Sequence, residues 1–466
     1  MTAVAIFGIC LSLVALMFLA YRGVNVLLLA PIMATVAVLF SGGHGGLLLG
    51  TYTQLFMTEL AKYLGKFFPL FMMGALFGKL MDDSGSAKVI AHRIAALTGK
   101  NRGILAIVLA CGVLTYGGVS LFVVAFAVYP IAKSLFREAE IPKRLIPGAI
   151  ALGSFTFTMT ALPGTPAIQN AIPTAYFGTT PFAAPGLGII GGLIMFGGGM
   201  LWLNRRAAAA RAKGEGYGQH DDLEETAHGP AQHAPSFLVA LIPIILVIAL
   251  NYVFTTWVIP AMDTAFLSQP KYGATKLSSV AGIWSIVLAV IVASLFVLLA
   301  NLKRFANITD TINKGTLGSM LPMLNTASEV GYGGVIASLA AFAVVRDSMT
   351  SITTNPVLSI AITVNVLAAI TGSASGGLSI ALASLGDFYL QMAKAAHVSP
   401  EIMHRIASMS SGGFDCMPHN GAVITLLGIC GLTHRQSYLD IFVVASVITV
   451  VAGIAVIILN AVFGTF

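Results

Sequence analysis

Gly412-Gly413-Phe414-Asp415-Cys416-Met417-Pro418-His419-Asn420-Gly421 lies near the end of a 466-residue chain, with long apolar stretches on either side. Three glycines and a proline break a helix here, and an acid, an imidazole and a carboxamide make the break polar. The flanks decide what this means. The chain is 57% hydrophobic and only 9% charged, whereas soluble domains carry about 25% charged residues. A chain this apolar has lipid as its outer solvent. Broken backbone at membrane depth survives only when it is buried in protein or lines a wet cavity, because each unpaired N–H or C=O is costly there.

Working outward, apolar runs near the bilayer-crossing length recur at 3–20, 24–41, 183–203, 236–258, 279–301 and 439–462. The first run is followed by Tyr21-Arg22-Gly23 and not by a small-residue cleavage site, so it reads as a retained helix. The net charge of +7 comes from loop lysines and arginines, as the positive-inside rule predicts, and does not suggest nucleic acid. Cys10, Cys111, Cys416 and Cys430 are scattered singly, with neither metal-ligand spacing nor a disulfide framework. No cofactor is expected.

The one long polar stretch, 205–235, begins with Arg205, Arg206, Arg211 and Lys213 and then turns acidic. It reads as a flexible cytoplasmic linker between a first repeat, 1–204, and a second, 236–466. Three motifs recur across it in order and at nearly constant offset: Leu64–Leu70 with Leu317–Met323, Gly117–Leu121 with Gly376–Ile380, and Pro163–Ile168 with Pro418–Val423. Basic residues on both sides of 103–136 make that segment a re-entrant hairpin with its tip at 115–118. Its counterpart is 355–396, with its tip at 371–377, and it opens from the other face. Broken helices are expected at 142–177 and 400–430, and amphipathic surface helices at 46–66 and 302–316. The expected fold is an all-α polytopic membrane protein of two inverted repeats, each with about five transmembrane helices, a re-entrant hairpin and a broken helix.

In such a fold the breaks at 115–118, 162–166, 371–377 and 412–421 converge near the midplane. Half-helix N-termini there suit an anion. Thr115, Ser120, Thr165, Gln169, Asn170, Thr371, Ser373, Ser375 and Asn420 supply neutral polar contacts, and Gly117, Gly118, Gly164 and Gly376 let backbone approach a solute. No lysine or arginine falls in the breaks, which favours a small monocarboxylate over a phosphate or dianion. Asp415 and His419 are the ionisable groups in the breaks. An intramembrane ionisable group points to function, and His419 titrates in the right range to carry a coupling proton. Glu329, Asp347 and Asp387 read as solvated helix ends or inter-helix pairs, and Tyr116 as packing of the first tip. Sodium is the alternative coupling ion, since hydroxyls and carbonyls suit a hard cation. An intramembrane hydrolase is disfavoured by the lack of Gly-x-Ser-x-Gly and His-Glu-x-x-His motifs, and a passive channel by the lack of a filter sequence.

Across nearly its whole length, and most strongly in Thr371–Leu382 and Gly412–His434, the chain resembles the gluconate permease family of the ion transporter superfamily. The resemblance implies two inverted repeats, a homodimer in the bacterial inner membrane, and proton-coupled import of sugar acids and hydroxy acids. Gluconate transporters carry a Glu in the first tip and a His among the prolines of the first break. Here Thr115-Tyr116-Gly117-Gly118 and Leu162-Pro163-Gly164-Thr165-Pro166 stand there. With the Pro418–Leu427 pattern, this is more similar to the D-3-hydroxybutyrate permease branch, and implies a short hydroxy acid ahead of gluconate.

Overall fold

The computed structural model describes residues 2–22, 24–99, 102–218, 234–344, 353–418 and 420–466, and among them the chain is helical with no strand. Long apolar runs become long helices because a backbone in lipid must bond within itself. An antiparallel pair, α1 (Thr2–Tyr21) and α2 (Val26–Phe40), opens the chain. Next comes α3 (Gly46–Asp83), a single helix of 38 residues. The 46–66 segment is therefore not a separate surface helix. A π-helical turn at Thr51–Phe56 carries the helix through, and no left-handed glycine stops it between Gly45 and Gly85.

After α4 (Ser86–Thr98), α5 (Gly103–Tyr116) and α6 (Leu121–Glu138) pack as a hairpin. The first broken helix consists of α7 (Ile146–Ser154) and single turns at Phe157–Thr160, Ile168–Ala171 and Thr174–Phe177. Then α8 (Pro185–Ala212) runs well past the expected start of the linker. Its Arg205–Ala212 segment is alanine-rich, and alanine is the best helix former.

The second half contains α9 (Phe237–Ala261), α10 (Leu277–Ala300), the short amphipathic α11 (Ile308–Leu317) and α12 (Met320–Ser338). A hairpin of α13 (Pro356–Thr371) and α14 (Ala374–Ala395) follows. The second broken helix is α15 (Pro400–Ser411) and α16 (Gly421–Cys430), and α17 (His434–Phe463) closes the chain. Helices α3, α8, α9, α10 and α17 are each long and apolar enough to cross a bilayer.

The two halves interleave. Each of the two large apolar clusters draws residues from both, and α12 packs on α3 while α16 packs on α6. Helices α8 and α17 run antiparallel, pinned at both ends. At the basic end, Trp202 Nε1 (3.0 Å) and Arg206 Nε (2.9 Å) donate to buried Asp440, and Arg144 Nε donates to Glu215 at 2.7 Å. That last bond holds the Glu215 carboxyl below its ordinary range. At the other end Gly186 N donates to Phe466 O (3.1 Å), and Ala184 N to Glu401 Oε2 (3.2 Å). Arg144 lies just before α7 and Glu401 in the first turn of α15, so the two broken helices start from opposite ends of α8.

Candidate functional site

The first break is wider than 162–166. It begins at Phe155, because the threonines after α7 use their hydroxyls on its carbonyls: Thr156 on Leu152 O (2.6 Å), Thr158 on Gly153 O (2.8 Å), Thr160 on Thr156 O (3.1 Å). Such back-bonding competes with helix continuation. The loop beyond is pinned from three sides. Tyr116 hydroxyl donates to Pro163 O at 2.7 Å, Asn251 Nδ2 to Gly164 O at 3.0 Å, and Asn170 Nδ2 to both Thr165 O (3.0 Å) and Pro181 O (2.9 Å). Gly164 has a φ of +78°, which the turn requires and which glycine adopts without strain. Thr165 is fully buried, and its hydroxyl takes Ala167 N.

The first hairpin tip docks here. Gly118 turns the chain at φ +89°, and a methyl group on it would come within 2.9 Å of Pro166 Cγ. Gly117 packs on Ile244 of α9, and Ser120 stands at the N-cap position of α6 without a side-chain cap bond. Tyr116 is thus a tie between tip and break as well as packing.

The second break touches the first. Gly412 lies against Thr160, and Ser408 Oγ donates to Thr160 O at 2.9 Å. Asn420 caps α16, accepting from Ala422 N (2.6 Å) and Val423 N (2.9 Å), and its Nδ2 donates to Asp415 O at 2.9 Å. Asn170 and Asn420 make the same bonds: each side chain reaches the carbonyl five residues back, and each amide the carbonyl three back. By these bonds Thr165 stands where Asp415 does, whereas the sequence motifs align Pro163 with Pro418. His419 itself lies outside the described residues, as does Asp347.

At the second tip the turn glycine is Gly372 (φ +60°), and Ser373 caps α14 by accepting from Gly376 N at 3.0 Å. Thr371 Oγ1 bonds Leu367 O at 2.9 Å, and Ser375 lies beside Ser373. This tip reaches the second break through its own arm, where Asn365 Oδ1 sits on the Cα of Gly413. No bond joins it to the first tip among the described residues.

Two features were hidden from sequence reading. Arg405 and His404 on α15 are fully buried beside the first break. Arg405 donates to Thr160 O (3.3 Å), Asn170 Oδ1 (3.0 Å), Pro181 O (3.5 Å) and Ala183 O (2.8 and 3.1 Å); His404 meets Thr179 Oγ1 at 2.6 Å and Asn170 Oδ1 at 3.2 Å. The breaks do have a cation at hand, from a helix outside them. The second feature is found among the buried polar atoms that have no hydrogen-bond partner among the described residues: beside six others elsewhere in the helices, they include Thr115 Oγ1 at the first tip, Gln169 Oε1 in the first break, Asp415 Oδ1 in the second, and Asn365 Oδ1 and Glu329 Oε2 against the second break and tip. Native interiors leave few such atoms, and each one calls for a physical reason.

A family profile described as GntP family permease matches residues 4–463. The chain belongs to the GntP permease family. It is 46% identical over 453 residues, covering 95% of this chain and 96% of the relative, to the "Uncharacterized transporter YxjC" of Bacillus subtilis (strain 168). The fold of this GntP-family permease is also similar to two solved transporters. The Alcanivorax borkumensis YdaH transporter superposes with a TM-score of 0.53 at 14% identity, over 88% of each chain. Neisseria gonorrhoeae MtrF, of a class of antimetabolite efflux pumps, superposes with a TM-score of 0.52 at 12% identity, over 86% of this chain and 83% of that one. It is a membrane transporter by family, with the fold class of other transporters.

Proposed function

We propose that this permease imports a short hydroxy monocarboxylate together with a proton, with D-3-hydroxybutyrate the first candidate and gluconate the second. The observation that carries the reading is the set of unpartnered polar atoms at both breaks and both tips. The hydroxyl groups of a hydroxy acid can donate to these oxygens, four of which are amide or carboxyl acceptors, and Thr115 Oγ1 can donate to its carboxylate. Arg405 adds positive potential without an ion-pair partner among the described residues, so the field favours an anion. Asp415 and His419 are assigned the coupling proton; the residue before the matched asparagine in the first loop is Gln169, which cannot carry one. The experiment is uptake of labelled 3-hydroxybutyrate into proteoliposomes under an inward proton gradient in sodium-free buffer, with lactate, gluconate and acetate as competitors. At one proton per solute, a gradient of one pH unit sustains about tenfold accumulation. His419→Gln is expected to keep part of the binding and lose accumulation; His419→Ala loses both. Uptake that needs sodium and ignores the proton gradient refutes the coupling.

The same reading takes the halves as inverted repeats in an inner-membrane homodimer, with the basic end of α8 and the following linker cytoplasmic. The opposite entry of α7 and α15 and the matched asparagine bonds support it. Single cysteines at Ser134 and Ala395, both exposed, are expected to react with impermeant reagents from the inside and the outside respectively. Reaction of both from one face excludes the arrangement.

A further inference from the structure

Glu329 lies in the middle of α12, 5% exposed. Among the described residues it is neither a solvated helix end nor half of an inter-helix ion pair, the two roles its sequence context suggests. Its Oε2 has no hydrogen-bond partner and rests on the Cα of Gly376 in the first turn of α14; a methyl group there would overlap it. The acid is therefore aimed at the N-terminus of the second arm of the second hairpin, next to the cap formed by Ser373 on Gly376 N. One turn further along α14, Ser379 Oγ donates to the buried Tyr63 hydroxyl of α3 at 3.2 Å.

The neighbours do not supply a counter-charge. Among the described residues, α2 brings no titratable group to α12. From α3 come Tyr63 and Glu59; Glu59 lies on Gly334 and pairs with Lys62 at 2.6 Å, and Lys66 stacks over the Tyr176 ring at 4.5 Å. Asp387 is the acid on α14, about three turns beyond Gly376 by helix geometry. On α11, Lys314 pairs with Asp310. A lone carboxylate at membrane depth is costly, and such residues mark ion and proton paths. A metal or sodium site wants several oxygen ligands around the ion. Glu329 offers one free oxygen with a Cα–H against it, which suits a proton.

We propose that Glu329 is a proton-binding site of this permease, distinct from the Asp415 and His419 positions, whose occupancy is felt by the second hairpin through Gly376. Bound, the proton forms a neutral carboxyl that can rest against the α14 N-terminus. Released to water, it leaves a carboxylate that burial disfavours and the α14 N-terminus attracts, so the hairpin contact changes with proton occupancy. The inference rests on the transporter reading above.

The test compares wild type with Glu329→Gln in proteoliposomes, using labelled 3-hydroxybutyrate in two modes: accumulation driven by a proton gradient, and counterflow between equal pH on both sides. The expected result, under a gradient of one pH unit, is that the ratio of driven accumulation to counterflow falls up to about tenfold, and that counterflow keeps only the pH dependence due to the Asp415 and His419 positions. An unchanged ratio overturns the proposal, as does loss of both modes together, which marks a structural acid. Loss of a sodium drive with the proton drive intact also overturns it. A readout independent of the solute is the infrared carbonyl stretch of a protonated carboxylic acid: the wild-type band at neutral pH is expected to contain a component that Glu329→Gln removes and Asp415→Asn does not. If wild type moves no 3-hydroxybutyrate in either mode, the substrate reading has failed, and that infrared component decides this inference: its absence from wild type overturns it.

Discussion

Arg405→Ala is expected to remove most of the folded protein. The guanidinium is fully buried and spends all three nitrogens on neutral acceptors, mainly backbone carbonyls of the first break and the turn before α8. Alanine takes both donors from the Ala183 carbonyl, while Thr160 O keeps Ser408 Oγ and Pro181 O keeps Asn170 Nδ2 and Gly164 N; an unsatisfied buried polar group costs about 1–3 kcal/mol. Relief of the cost of burying a cation offsets part of this. Apolar replacements of buried charges succeed where the partner can be replaced too, and these carbonyls cannot. Truncating a long, fully buried side chain also leaves a cavity, and large-to-small core changes cost about 2–5 kcal/mol, which is the expected scale. Arg405→Lys keeps the charge but loses the planar fork, so it should fall between. The check is the yield and thermal midpoint of detergent-solubilised protein by size exclusion. If Arg405→Ala is as stable as wild type, the arginine does not hold the break together.

Much of the architecture is legible from composition. The apolar runs, and the segments read as hairpins, correspond to helices, with α8 extending past its run, because lipid leaves the backbone few alternatives. The polar knot at Gly412–Asn420 is a break for the reason its glycines and proline give. What the sequence hides is partnership across distance. Arg405 stands on an amphipathic α15 beside Glu401 and His404, where it looks like part of a solvated helix end; only the fold turns it into the Pro181–Ala183 turn. Glu329 is the one acid within α12 and Asn365 the one carboxamide within α13, and that is the signal the sequence offers. Register is also hidden. Pairing Pro163 with Pro418 follows residue identity, while the asparagine bonds pair Thr165 with Asp415.

The glycine pairs show how identity misleads and yield the second large effect. Gly117-Gly118 and Gly376-Gly377 look equivalent in sequence. Gly118 makes the first hairpin's turn, but in the second Gly372 does so, and the later pair lies inside α14. Gly377 is there for closeness: its missing side chain lets α14 lie on the backbone of α13, and a methyl group would overlap the N and Cα of Ala368. Backbone cannot rotate aside as a side chain can. Overpacking a close-packed interior costs about 1–3 kcal/mol, more when nothing yields, and here the hairpin arms must separate. Gly377→Ala is therefore expected to abolish transport and sharply lower the yield of folded protein. Gly376→Ala meets the Glu329 side chain, which can swing away, so it should fold better while losing the Glu329 contact. Gly428→Ala is the control: it faces open space within α16, and the alanine should be neutral or stabilise the helix by up to about 1 kcal/mol. Parallel yield, thermal midpoint and counterflow measurements on the three variants decide the matter. A Gly377→Ala protein as stable and active as Gly428→Ala would mean that the arms of the second hairpin do not meet at Ala368.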